Sequence, residues 1–247
     1  MKRLLCVTAH PDDEAWAFGG SLLLYQERGV ETSVICLTRG GAGTYKGGAK
    51  SSAEQMAIRS REFDAACRLL KVNDTNLLDY PDGKLASLSF FEAVANLCRR
   101  IRAVRPNVVI TFGTDGTVTA HPDHSMVALF TTAACQWAGR QDRFPEQLRD
   151  GLRPHRVQKL YYVTAREIWP ERPPISPPPI TAAIDVRAYL GKKVEAFKAH
   201  RSQAPLVPTY ERVLRSPYEY YHLAASITPR QAESESDLFA GIEDAEG

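Results

Sequence analysis

Three short runs of apolar residues mark the first half of the chain: Leu4-Leu5-Cys6-Val7, Ser33-Val34-Ile35-Cys36-Leu37 and Val108-Val109-Ile110-Thr111-Phe112. Each has strand length and is rich in β-branched residues, and runs apolar on both faces suit a parallel sheet covered on both sides. Between them lie segments of helical period: 14–27, ending at Arg28-Gly29, then 51–70, then 87–104, which stops before Pro106. Leu77-Leu78 predicts a short third strand, making the run before His121 the fourth. Further on, a helix is expected from His124 to Gly139, strands at Leu160-Tyr161-Tyr162-Val163 and over 181–186, and a helix over 187–199. This alternation predicts an α/β fold with a doubly wound, mostly parallel sheet in three layers. No second core is visible, so residues 1–230 are expected to form one domain.

The predicted topology changes the reading of the polar residues. In a sheet of order 3-2-1-4-5 the first and fourth strands are neighbours, and ligands sit beyond their carboxyl ends where the order reverses. His10-Pro11-Asp12-Asp13-Glu14 follows the first strand directly, and His121-Pro122-Asp123-His124 follows the fourth after a loop. The two motifs are therefore expected to meet in one cleft. His10, Asp13, His121 and His124 carry the donor atoms of a catalytic zinc site, which uses three protein ligands and keeps one position open. The same donors suit Fe(II) or another divalent cation. With Asp12 there is one group more than coordination and a general base require, and the spare histidine suits a general acid or an oxyanion stabiliser. The competing structural reading makes Asp12 or Asp13 an ordinary helix N-cap.

Composition narrows the partners. The chain has 247 residues, 44% of them hydrophobic, with 31 basic and 29 acidic side chains mixed along its length. No basic face for nucleic acid stands out, which points to a small-molecule partner. The apolar run after Met1-Lys2-Arg3 ends at His10, too soon for a signal peptide, and no membrane span is visible; a cytoplasmic protein is expected, and a homo-oligomer is compatible with the composition. Cysteines 6, 36, 67, 98 and 135 read as buried thiols. The glycines at 40, 41, 43, 47 and 48 fit no nucleotide-binding spacing and suit a loop at the cleft. The proline-rich stretch 169–180 reads as a stiff connector, and 231–247, with six acids and no base, as a solvated, disordered tail. His155, His200 and His222 are expected to be structural or at the surface.

Ala9-His10-Pro11-Asp12-Asp13-Glu14, Thr111-Phe112-Gly113 and His121-Pro122-Asp123-His124 together resemble the PIG-L/LmbE-like superfamily of zinc-dependent N-acetylglucosaminyl deacetylases. The likeness extends through Leu37-Thr38-Arg39-Gly40, Arg59 and Glu62, Tyr80-Pro81-Asp82-Gly83 and the stretch 193–203, covering about residues 1–205. It implies a Rossmann-like domain with His10, Asp13 and His124 as zinc ligands and Asp12 as general base. It further implies His121 as a protonated partner for the oxyanion and leaving amine, Arg59 and Asp82 as substrate-binding residues, and an amino-sugar amide as substrate. Two positions depart from the family pattern: Gly41 stands where relatives usually carry Glu, and Ala120 where they carry Gly. Two rival expectations stand beside deacetylation: the same machinery acting on a glycopeptide, nucleoside or thiol glycoside, and a non-catalytic sugar- or nucleotide-binding module.

Overall fold

The computed structural model describes residues 1–166, 177–228 and 234–242. The chain runs β1 (Arg3–Thr8), α1 (Asp13–Trp16), α2 (Gly19–Glu27), β2 (Glu31–Thr38), α3 (Ser52–Leu69), β3 (Asp74–Tyr80), α4 (Phe90–Val104) and β4 (Val108–Thr111). It continues with α5 (Pro122–Ala138), α6 (Pro145–Arg149), β5 (Lys159–Thr164), β6 (Ala182–Asp185), α7 (Leu190–Ala199), α8 (Val207–Leu214) and β7 (Tyr218–Ser226). One seven-stranded sheet has the order β3-β2-β1-β4-β5-β7-β6. β3 through β5 pair in parallel, and β7 runs antiparallel between β5 and β6. The sheet is the expected doubly wound α/β sheet, with the order reversing between β1 and β4. Its two faces carry separate apolar clusters, one including Cys6, Phe63 and Phe197 and the other Leu5, Leu97 and Phe130, which makes three layers.

Local chemistry explains several boundaries. Ser51 and Ser89 accept the amides of Glu54 (3.2 Å) and Glu92 (3.4 Å) and so cap α3 and α4. The expected continuous helix over 14–27 is interrupted around Phe18, giving α1 and α2. The first turn of α2 has no acidic residue of its own. Glu219, two hundred residues away on β7, accepts the amides of Gly20 and Ser21 at 2.8 Å each. Gly20 must lack a side chain, because a Cβ there would lie 2.6 Å from that of Val186. Glu219 also receives the buried Lys193 ammonium at 2.7 Å and the Tyr221 hydroxyl at 3.2 Å. Glu219→Ala would leave Lys193 charged and unpaired in the core, and is expected to lower the unfolding free energy by about 3–5 kcal/mol in urea titration.

Parts of the expected picture need correction. α8 and β7 were not foreseen, and β7 completes the sheet. Part of the acidic stretch 231–247 is not a solvated tail: Glu235 bridges to Ala182, and its carboxylate meets the Lys159 ammonium at 2.6 Å. Leu238, Phe239 and Ile242 are buried, with Phe239 against Tyr25. The cause is that three apolar side chains within a charged segment suffice to dock it. Residues 231–233 and 243–247 of that stretch lie outside the described residues, as do 169–176 of the proline-rich connector; its last part is held where Thr164 donates to the Pro178 carbonyl at 3.1 Å. Cys6, Cys36, Cys67 and Cys98 are free and buried as expected, and Cys135 is free and half-buried. Among the described residues no helix is long and apolar enough to cross a membrane.

Candidate active site

The cleft opens beyond the carboxyl ends of β1 and β4, as the topology requires, with a volume of about 880 Å³. His10, Asp12, Asp13, Arg59, Asp82, His121 and His124 all line it. The loop after β2 contributes Ala42 to Tyr45, and α8 with the segment before it supplies Gln203, Leu206 and Tyr210.

Asp13 is the hub. Its Oδ2 accepts the amides of Ala9 (3.2 Å) and His10 (2.8 Å), and its Oδ1 accepts the Trp16 indole N–H at 3.1 Å. Asp12 occupies the N-cap position of α1, but its side chain makes no capping hydrogen bond. Asp13 Oδ1 faces His124 Nε2 at 3.3 Å, and its Oδ2 faces His10 Nδ1 at 3.6 Å. The hydrogen bonds beyond the rings decide what those contacts are. Thr119 donates its hydroxyl hydrogen to the Gly116 carbonyl (3.2 Å), so His124 Nδ1, 3.1 Å from Thr119 Oγ1, must be the donor of that pair. His10 Nε2 lies 3.1 Å from Asp82 and 3.2 Å from Asp123, two carboxylates that require an N–H there. With those hydrogens on His124 Nδ1 and His10 Nε2, a ring that carries no second proton turns a lone pair toward an Asp13 oxygen. One acceptor on each side of a carboxylate calls for positive charge between them, and this donor set fits a divalent cation. Although burial opposes both shifts, the two histidines hold the Asp13 carboxyl well below the usual range, and Asp123, Asp13 and Asp82 push the His10 ring up, so a proton meets the same demand for positive charge that a cation would.

The ring nitrogens of His10, His121 and His124 also lie within 4.8 Å of one another. His121 differs from the other two in its surroundings. As N-cap of α5, its Nδ1 accepts the Asp123 amide at 3.1 Å, which leaves the ring's hydrogen on Nε2. Burial, with His10 and His124 beside it, lowers its pKa to about 4. Both features favour a neutral Nε2–H donor at His121, where the resemblance implies an imidazolium.

Asp12 stands apart from this cluster in conformation and in charge. Its backbone has φ 127° and ψ −27°, a region that costs a non-glycine residue about 1–3 kcal/mol and recurs where function demands it. Burial pushes its carboxyl up to about 7 against the pull of the Arg59 guanidinium, which meets Asp12 Oδ2 at 3.1 Å. Arg59 is 3% exposed, so it is no solvated helix charge; it also donates to the carbonyls of Pro11 and Gly40. A Cβ on Gly40 would collide with that guanidinium. A Cβ at Gly41 would lie 2.7 Å from Ser52 Oγ, so a larger residue there requires that side chain to move. Ala120 has φ 48°, the left-handed region in which a glycine would sit more easily. Asp82 accepts the Ala42 amide at 2.8 Å, and His10 outweighs burial to lower its pKa to about 2.

Sequence reasoning passed over Asp123, Thr119, Trp16, Glu14 and His200. Asp123 lies inside a quoted motif, accepts the Gly83 (2.7 Å) and Leu85 (3.1 Å) amides, and faces His10. Trp16 reaches Asp13 through its indole N–H, and His200, expected to be structural or at the surface, is fully buried against Glu14 behind the site.

The family model described as "PIG-L: GlcNAc-PI de-N-acetylase" matches residues 5–135, more than half of the chain and both histidine motifs. The chain belongs to the PIG-L family. It is 29% identical to a 1D-myo-inositol 2-acetamido-2-deoxy-alpha-D-glucopyranoside deacetylase of Rhodococcus erythropolis, over 98% of each chain. A diacetylchitobiose deacetylase of Thermococcus kodakarensis is 27% identical over 90% of this chain and 78% of its own. Among solved PIG-L folds, the N,N'-diacetylchitobiose deacetylase of Pyrococcus horikoshii superposes with a TM-score of 0.76 at 23% identity, covering 90% of this chain and 83% of that one.

Proposed function

We propose that the protein is a zinc-dependent hydrolase that removes the acetyl group from the amide nitrogen of an amino sugar linked to a second, ring-sized unit. The observation that carries this reading is the placing of the His10 and His124 rings on the two oxygens of Asp13, at 3.6 and 3.3 Å, beside the buried carboxylate of Asp12. Family membership supports the reaction. The cleft volume of about 880 Å³, ample for two hexose-sized rings, supports the substrate size. The named substrates of the Rhodococcus and Thermococcus relatives have that form.

His10, Asp13 and His124 would hold the cation, which when bound supplies Lewis acidity to water and to an amide carbonyl. Asp12 accepts the proton of the attacking water as its oxygen bonds to the acetyl carbon. His121 donates its Nε2–H to the oxygen on which negative charge develops. Asp12, now a carboxylic acid, passes its proton to the amide nitrogen as the C–N bond breaks, giving the free amine and acetic acid, which ionises to acetate. Arg59 fixes the Asp12 side chain and leaves Oδ1 for this traffic. Asp82, at the cleft wall, suits a sugar hydroxyl.

The direct test is acetate release from N-acetylglucosaminyl-inositol, diacetylchitobiose and N-acetylglucosamine, read together with amine formation. Hydrolysis of the two-ring compounds over the monosaccharide is expected; no release from any sugar amide by metal-loaded protein would overturn the reading. A smaller effect follows from Thr119. Thr119→Val removes the acceptor that orients His124 and is expected to weaken Zn²⁺ binding about 10- to 100-fold in competition with a chromogenic chelator.

A further inference from the structure

Behind the cleft, Glu14 and His200 form a pair that the proposed chemistry does not use. Both are fully buried, and His200 Nε2 lies 2.6 Å from Glu14 Oε1. His200 stands where α7 ends, fixed by the bond from its own amide to the Phe197 carbonyl (3.0 Å) and by the Gln203 amide, which donates to the His200 carbonyl at 2.8 Å. The other oxygen of Glu14 accepts the backbone amide of Asp12 at 3.0 Å.

That bond falls on the peptide that matters. Asp12 is held at φ 127°, and the motion that would relieve it is rotation of the peptide joining Pro11 to Asp12. The carbonyl end of that peptide is bound by Arg59, and its N–H end by Glu14. The carbonyl of Asp12 itself is taken by the amides of Ala15 (3.0 Å) and Trp16 (3.1 Å) at the start of α1. With both ends of the plane pinned, the Asp12 side chain is delivered into the cleft in one orientation. We infer that Glu14 and His200 are positioning residues, a buried clamp that keeps the peptide before Asp12 in its strained conformation and so aims the base. The inference rests on Asp12 acting as base in the proposed reaction; the strained peptide itself does not depend on that reading.

Glu14→Ala and His200→Leu are each expected to lower kcat about 10- to 100-fold, with KM within about twofold and metal content per chain unchanged. Glu14→Gln, which keeps an oxygen acceptor, should recover most of that loss. In an Asp12→Asn background, Glu14→Ala should lower the residual kcat no further, since the clamp then has no base to aim. A crystal structure of Glu14→Ala should show Asp12 relaxed to negative φ. Undiminished kcat with only a lowered Tm, loss of metal, an additive loss in the Asp12→Asn background, or Asp12 retained near φ 127° would each overturn the clamp. If the wild-type protein hydrolyses no sugar amide, the crystal structure still decides the clamp, and the failure then lies with the proposed reaction.

Discussion

Asp12→Asn is expected to lower kcat by about three orders of magnitude, with KM nearly unchanged and the metal retained, because positioned general bases contribute roughly 10²- to 10⁴-fold. Asn has the same shape and keeps an oxygen for the Arg59 guanidinium now 3.1 Å from Asp12 Oδ2, so the fold should tolerate it. What disappears is the ability to accept a proton. The pH profile supplies the second readout. A general base at Asp12 would work only when ionised, so kcat/KM of the wild type is expected to fall as pH drops through the carboxyl's pKa. Burial raises that pKa to about 7, and the positive charge of a bound cation draws it back, which sets the acid limb at or below about 7. The limb should be missing from the residual activity of Asp12→Asn. Retention of more than about a tenth of wild-type kcat would remove Asp12 from the role of base.

How far the sequence foretold this site depends on the length scale of each interaction. The β1 and β4 runs are apolar on both faces, so their burial in a parallel sheet was legible, and with the sheet order came the meeting of His10 with His121 and His124. The pairwise geometry inside the cleft was less accessible. Asp123 was given no role because nothing local shows that its carboxylate faces His10 across the cleft. His200 had no ligand-like neighbours in sequence, and only the fold places it on Glu14, 186 positions earlier. The same limit hid β7: its residues 218–223 alternate without the solid apolar run that marked the central strands, because the strand joins the antiparallel side of the sheet. The tail was misread for a related reason. Charge counting over 231–247 outweighed Leu238, Phe239 and Ile242, whose burial depends on a surface formed by Tyr25 and its neighbours at the other end of the chain.

Removing ligands should separate two arrangements that the geometry brings close together. One is the set His10, Asp13 and His124, in which both histidines face a shared carboxylate; the other is the trio of ring nitrogens from His10, His121 and His124. The bonds around His121 favour the first: its Nδ1 is taken by the Asp123 amide, and its remaining nitrogen carries a hydrogen and cannot ligate without losing it. Asp13→Ala and His124→Ala are therefore each expected to reduce bound metal from about one ion per chain to under about a tenth, with activity lost along with it. His121→Ala should keep the ion and lose only about 10²- to 10³-fold in kcat, the cost of one donor to a developing oxyanion. Chelation of the wild type should abolish turnover, lower Tm and be reversed by Zn²⁺, since a ligand that binds only the folded state stabilises it. Metal analysis of the three variants decides the matter directly. If His121→Ala loses the ion while Asp13→Ala keeps it, the cation belongs to the three histidines, and the Nε2–H of His121 is not the group that meets the oxyanion.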